Sequence, residues 1–245
     1  MAVGEDTPPP GATANAILRE RARSVHHPLT RTLLVLTFTA GLVDAACFLG
    51  LGRVFTANMT GNVVLLGFGV VGSANLPVVA PLISLAAFMA GAFVGGWIAS
   101  RLENRNPEHL ARTLALETAL EAAAAAVAAA AAVSANSAAA YTVIALLALA
   151  MGARSATVRC IAVPDVNTTV LTMTLTALAS ELPLFGGSPR GAVRRSSAVL
   201  SMFAGAVAGA LLLRQSVALP IALAAALAFA AAVTYPLAER RARTA

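Results

Sequence analysis

Long apolar stretches separated by short polar ones dominate this chain. Eight can be marked, at residues 32–51, 54–73, 77–100, 113–134, 138–158, 166–181, 196–213 and 216–237. In most of them apolar residues fill every face of a helix instead of one stripe, and such a helix needs lipid or other apolar helices all round it. At about 20 residues per crossing, most are long enough to span a bilayer. Two are weaker. The stretch 166–181 holds five Thr residues, lies between Pro164 and Pro183, and has Asp165 and Glu181 at its ends. Its helical core reaches only ~21 Å against a hydrocarbon layer of ~30 Å. The stretch 54–73 is purely apolar only from Val63 to Val71. Polar, interrupted helices survive at membrane depth only where protein or a water-filled cavity surrounds them.

The stretches recur in order. GLVDAACF at 41–48 resembles GARSATVR at 152–159, TANMTGNVVLLG at 56–67 resembles VLTMTLTALAS at 170–180, and MAGAFVGG at 89–96 resembles FAGAVAGA at 203–210. The offset stays between 111 and 114 residues. The expected organisation is therefore a disordered basic N-terminal tail (1–30), a first membrane repeat (31–135), a second (136–238) and a basic C-terminal tail (239–245). The first apolar stretch begins too late and runs too long for a signal peptide, so it reads as an uncleaved span.

Charge placement refines the topology. All 17 basic residues are Arg. If all eight stretches crossed, seven of these Arg residues would fall on or near the outer side. If 54–73 and 166–181 dip in and return, only Arg53 and Arg214 do, and the chain then obeys the positive-inside rule far better. Each unit then crosses three times, and the second is inverted relative to the first. The predicted fold is an all-α polytopic membrane protein with two internal repeats, six full spans and two short polar helices. It would sit multi-pass in the cell membrane with both termini cytoplasmic.

Composition agrees: 58% of the 245 residues are hydrophobic and 11% charged, and the mean hydropathy is +0.80. A soluble domain of this size carries much more charge. The net charge of +6 reads as topology control and not as nucleic-acid binding. Cys47 and Cys160 read as buried free thiols, and no metal-ligand spacing is present. His26, His27 and His109 fall outside the apolar stretches. Without a phosphate loop, nucleophile elbow or His–Cys pairing, neither an enzyme nor a cofactor is expected.

The run AGLVDAACFLGLGRVFTANMTGNVVLLG, residues 40–67, resembles the signature of the YoaK family of bacterial membrane proteins, domain of unknown function 1275. MGARSATVR (151–159) and TTVLTMTLTAL (168–178) resemble its second-half motifs, departing at Arg154 and Ser155, where the family usually carries polar amides, and at Met173, where Gly is common. The resemblance covers roughly 31–237. It implies a membrane fold and carries no established activity.

Several residues stand out as candidate pore-lining or substrate-binding groups. Asn58, Gly61 and Asn62, with Thr60 beside them, share one face if 58–62 is helical. They either line a polar path or lock two helices together through hydrogen bonds. Thr169, Thr172 and Thr176 form the counterpart face. Asp44 lies deep in the first span, where a carboxylate is expensive, and its repeat counterpart region holds Arg154. An Asp44–Arg154 ion pair would relieve both. Glu117 and Glu121, one turn apart, read as an interfacial pair near the cytoplasmic end; facing the interior, they would suggest a proton-coupled role. Gly91–Gly95 and Gly205–Gly209 have the spacing of close helix packing, and would let the third and seventh stretches pack closely, against each other at the repeat interface. Two functions follow as expectations: a transporter or channel for a small solute or ion, or a non-transporting scaffold, sensor or accessory subunit. The lipid bilayer is the one firm partner. Oligomeric state is not readable.

Overall fold

The computed structural model describes residues 27–73, 76–101, 106–131, 133–161, 171–180 and 189–244. Among them are eight helices and no strand: α1 (Pro28–Gly50), α2 (Met59–Val70), α3 (Val79–Arg101), α4 (Asn106–Ala130), α5 (Ala138–Ile161), α6 (Leu171–Ser180), α7 (Pro189–Leu213) and α8 (Ala218–Thr244). All but α2 and α6 are long and apolar enough to cross a membrane. Most of the expected N-terminal tail, residues 1–26, lies outside the described residues, and α8 continues through 239–244.

Two helices begin earlier than their apolar pattern: α4 at Asn106 and α7 at Pro189. Their first turns carry Pro107 with Glu108 and Pro189 with Arg190, so a hydropathy reading passes over them. Proline suits a first turn, where the missing N–H has no partner to lose. α1 likewise opens on Pro28, with His27 accepting from the Leu29 N–H at 3.3 Å.

The buried clusters fix which end of each helix lies where. Leu29, Leu33 and Leu36 from the start of α1 pack with Leu110 and Leu114 from the start of α4, Val158 from the end of α5, and Ala231 and Tyr235 from the later part of α8. That end is the near face. At the far face, Leu42–Cys47 of α1 meet Ala80 of α3, Ala124 of α4, Ala140–Leu147 of α5 and Ile221 of α8, with Leu212 of α7 against them. So α1 ends at the far face and α3 departs from it, and α2 returns to the side it came from. α5 ends at the near face and α7 departs from it, so the segment holding α6 also returns. At 12 and 10 residues, these helices span only about 18 and 15 Å.

The helix pairing is unchanged when α1–α4 are exchanged with α5–α8. α3 packs on α5 as α7 packs on α1, α4 on α5 as α8 on α1, and α4 packs on α8. The match extends to single residues. Gly91 and Gly95 of α3 rest on the Leu149 and Ala153 carbonyls of α5, while Gly205 and Gly209 of α7 rest on those of Phe38 and Leu42 of α1. Gly152 meets Phe88 as Gly41 meets Met202. This corrects one expectation: the glycine stripes of the third and seventh stretches do not face each other, and each packs on the first helix of the other half. The outward sides of α3 and α7 expose Met89, Phe93 and Trp97, and Leu200, Phe203 and Leu211, as lipid-facing surfaces do.

Candidate functional site

Between α1 and α2 the chain runs without helix from Leu51 to Asn58, and it re-enters the protein as it does so. Gly52 (φ 120°) and Arg53 (φ 56°) are both in the left-handed region and turn the chain back; Gly adopts that conformation freely. The backbone that follows is largely buried, with Val54, Thr56 and Ala57 enclosed, and needs partners. Asp44 supplies two of them: its Oδ1 accepts the N–H groups of Thr56 and Ala57, each at 2.8 Å. Asn62 supplies two more, accepting from the Phe55 N–H at 2.8 Å and donating to the Phe55 carbonyl at 2.7 Å. Ser84 of α3 donates to the same carbonyl at 2.7 Å and accepts from Asn62 at 3.1 Å. Asp44, Asn62 and Ser84 are all buried. Removing Asp44 leaves two buried N–H groups bare, at roughly 1–3 kcal/mol each. Asp44→Ala should therefore lower the thermal stability of the detergent-solubilised protein far more than Asp44→Asn, whose carbonyl oxygen still accepts. Equal melting of the two variants would contradict this bonding role.

The start of α2 faces the start of α6 across a cavity of about 590 Å³. Asn58, Thr60, Gly61 and Val64 line it from one half, and Thr172, Leu175 and Met202 from the other. Asn58 and Thr172 are 114 residues apart, as are Gly61 and Leu175, which is the offset at which 56–67 resembles 170–180. Asn58 is the N-cap of α2, and its side chain accepts from the Gly61 N–H at 3.4 Å.

A second polar cluster is fully enclosed. Arg154 of α5, 1% exposed, donates from one nitrogen to Glu117 of α4 at 2.8 Å and to Thr39 of α1 at 2.9 Å. Glu121 is also 0% exposed, and neither of its carboxyl oxygens has a hydrogen-bond partner. Toward the near face, the Thr157 hydroxyl lies 2.8 Å from that of Thr113 and 3.1 Å from His109 Nε2.

With this geometry in view, the family model for the protein of unknown function DUF1275 matches residues 32–234. The chain belongs to this family. It is also similar to the UPF0700 transmembrane protein YoaK of Bacillus subtilis (strain 168), at 32% identity over 151 residues, 61% of this chain. The match covers 65% of that relative's length. No solved structure matches. In this DUF1275 chain, the run 40–67 is the one wrapped around Phe55–Ala57: Asp44 and Asn62 both serve the broken backbone.

The sequence-derived candidates therefore divide. Asn58, Thr60, Gly61 and Thr172 line the cavity. Asn62 turns away from it to Phe55 and Ser84, so 58–62 is not one polar helical face; α2 starts only at Met59. Thr176 is exposed and bonds its own helix at the Thr172 carbonyl, 2.9 Å away, and Thr169 lies outside the described residues. The expected Asp44–Arg154 ion pair is not formed: the ion-pair partner of Arg154 is Glu117. Glu117 and Glu121 are interior and not interfacial. His109 is buried at the first residue of a candidate span, and Cys160 is exposed while Cys47 is buried. Sequence reasoning misses Ser84, Thr39, Thr113 and Thr157, although Ser84 is the one polar side chain between Pro81 and Trp97.

Proposed function

We propose that this chain is a transporter or channel for a small polar solute, passing it through the cavity between α2 and α6, and that it has no catalytic role. The observation that carries this reading is the lining. The opening turns of two half-length helices, one returning to each face, meet at matching positions around a space in which Asn58, Thr60 and Thr172 stand among mostly apolar side chains. In membrane proteins, paired broken helices of this kind hold solute at the centre while their termini and freed backbone groups supply polar contacts. An inverted duplication is the simplest origin of the matched glycine contacts and matched cavity positions. The near face is taken as cytoplasmic in the cell membrane, since Arg31, Arg101, Arg112, Arg159, Arg194 and Arg195 lie at near-face helix ends while Arg53 and Arg214 lie at the far face.

The test is flux into proteoliposomes across a panel of small neutral, cationic and anionic solutes. Thr172→Trp and Val64→Trp fill the cavity from opposite sides. Both should bring wild-type flux near background while leaving the elution profile of the protein unchanged. Wild-type flux persisting in both variants would refute passage through this space. One observation favours a non-transporting membrane role: Asp44 and Asn62 are committed to the backbone and not to the cavity. That alternative expects no flux for any solute in the wild type.

A further inference from the structure

The enclosed cluster on α4 is separate from the cavity. Four polar residues of α4 follow at four-residue spacing: His109, Thr113, Glu117 and Glu121, all at most 3% exposed. A spacing of four advances about 40° per step around the helix, so the row winds slowly as it rises about 18 Å into the membrane. An Ala- and Leu-rich helix has no packing reason to bury such a row.

Its charge does not balance. Two carboxyl groups face one guanidinium. Arg154 is committed to Glu117 Oε1 and Thr39, and three carboxyl oxygens (Glu117 Oε2 and both of Glu121) have no hydrogen-bond partner. Among the described residues, the surrounding helices add no further cation at this level. α8, packed along α4, buries Ala224, Ala228, Ala231 and Tyr235; α1 contributes Thr39 and the carboxyl of Asp44, whose Oδ1 is bonded to the 56–57 backbone and whose Oδ2 has no hydrogen-bond partner; α5 contributes Thr157 beyond Arg154. A metal ion would require six or more oxygens in the usual hard-cation case. A proton needs only one O–H between two carboxyl groups, and it brings the trio of Glu117, Glu121 and Arg154 to neutrality.

We propose that Glu117 and Glu121 hold one proton between them at mid-membrane, exchanged with the near face past Thr113, Thr157 and His109. The site holds the proton as an O–H on one carboxyl directed at the other. Releasing it leaves two carboxylates against Arg154. The hydroxyl-to-hydroxyl and hydroxyl-to-imidazole contacts lie on the near-face side, where the Thr157 hydroxyl also donates to the Ala153 carbonyl at 3.0 Å, so exchange is directed to that face. Use of this proton to drive the solute passage proposed above rests on that reading; the proton site itself does not.

Infrared spectra of the full chain in nanodiscs at neutral pH test it. The wild type should show a carboxylic-acid carbonyl band that shifts down in D2O. Glu121→Gln should abolish the band with the helical amide I band unchanged. Glu121→Asp, which keeps an acid, should move it, and Asp44→Asn should leave it in place. Thr157→Val, cutting the link between His109 and Thr113, should slow the D2O shift without removing it. The proposal is overturned by a wild type without such a band, by a band unmoved in both Glu121 variants, or by one lost in Asp44→Asn. These results are independent of solute flux, so failure here and failure of transport are told apart.

Discussion

Gly91→Ala should cripple this protein, and Gly96→Ala, five residues further along the same helix, should be harmless. A methyl group on Gly91 would fall inside contact distance of the Leu149 carbonyl and backbone, which no rotamer change can relieve. α3 and α5 would have to separate along their whole contact. Overpacking of this kind costs about 3 kcal/mol or more when the obstacle is backbone. A methyl group on Gly96 would enter open space, with nothing within 4 Å, so Ala there gains up to about 1 kcal/mol of helix propensity. The matched helix contacts extend the forecast. Gly205→Ala pushes α7 off Phe38 of α1 as Gly91→Ala pushes α3 off Leu149, and Gly152→Ala and Gly41→Ala form a second matched pair. Survival of the monodisperse peak after heating in detergent measures all five. Gly91→Ala tolerated as well as Gly96→Ala would refute the close packing, and pairs that diverge widely would refute equivalent seams.

Most of this architecture is legible in residue patterns because bilayers impose few solutions. Apolar length gives the spans, and small residues at four-residue spacing mark close approach. The partner of each glycine stripe is not legible that way. Spacing says that a helix face is smooth, and only the exchange of helices between halves says that α3 meets α5 and α7 meets α1. The starts of α4 and α7 escape a hydropathy pattern for a related reason: a first turn can be polar because it sits at the interface.

The sites are less legible. Asp44 stands out in sequence as an expensive carboxyl, and the obvious relief is the Arg at its repeat counterpart. The relief comes instead from the chain itself, through the Thr56 and Ala57 N–H groups, which no side-chain pattern displays. Asn62 misleads for the same reason: a shared face with Asn58 assumes a helix already under way at 58, and α2 begins one residue later. The row from His109 to Glu121 is visible as a spacing of four. Its inward direction follows from α8 lying antiparallel against α4, with α5 on the flank.

That inward row sets the other large effect. Arg154→Met should destabilise the protein by about 3–5 kcal/mol, because it strands Glu117 without a cation in a space with no water access. The loss is a penalty for an unpaired group more than a measure of the bond itself. The double variant Arg154→Met with Glu117→Leu should therefore regain much of it, since apolar replacements of both partners fill the same volume with nothing left to solvate. Glu117→Leu alone should cost less than Arg154→Met alone, as the freed guanidinium keeps Thr39 and gains Glu121 one turn away. A thermal-melting cycle on the four proteins in one detergent reads the coupling directly. Additive losses would mean that Arg154 and Glu117 act independently, and the charge balance that places a proton on the α4 carboxyl groups would fail with them. A strong positive coupling leaves Glu121 as the group without a cation, the condition under which it must share its proton or bury a bare charge.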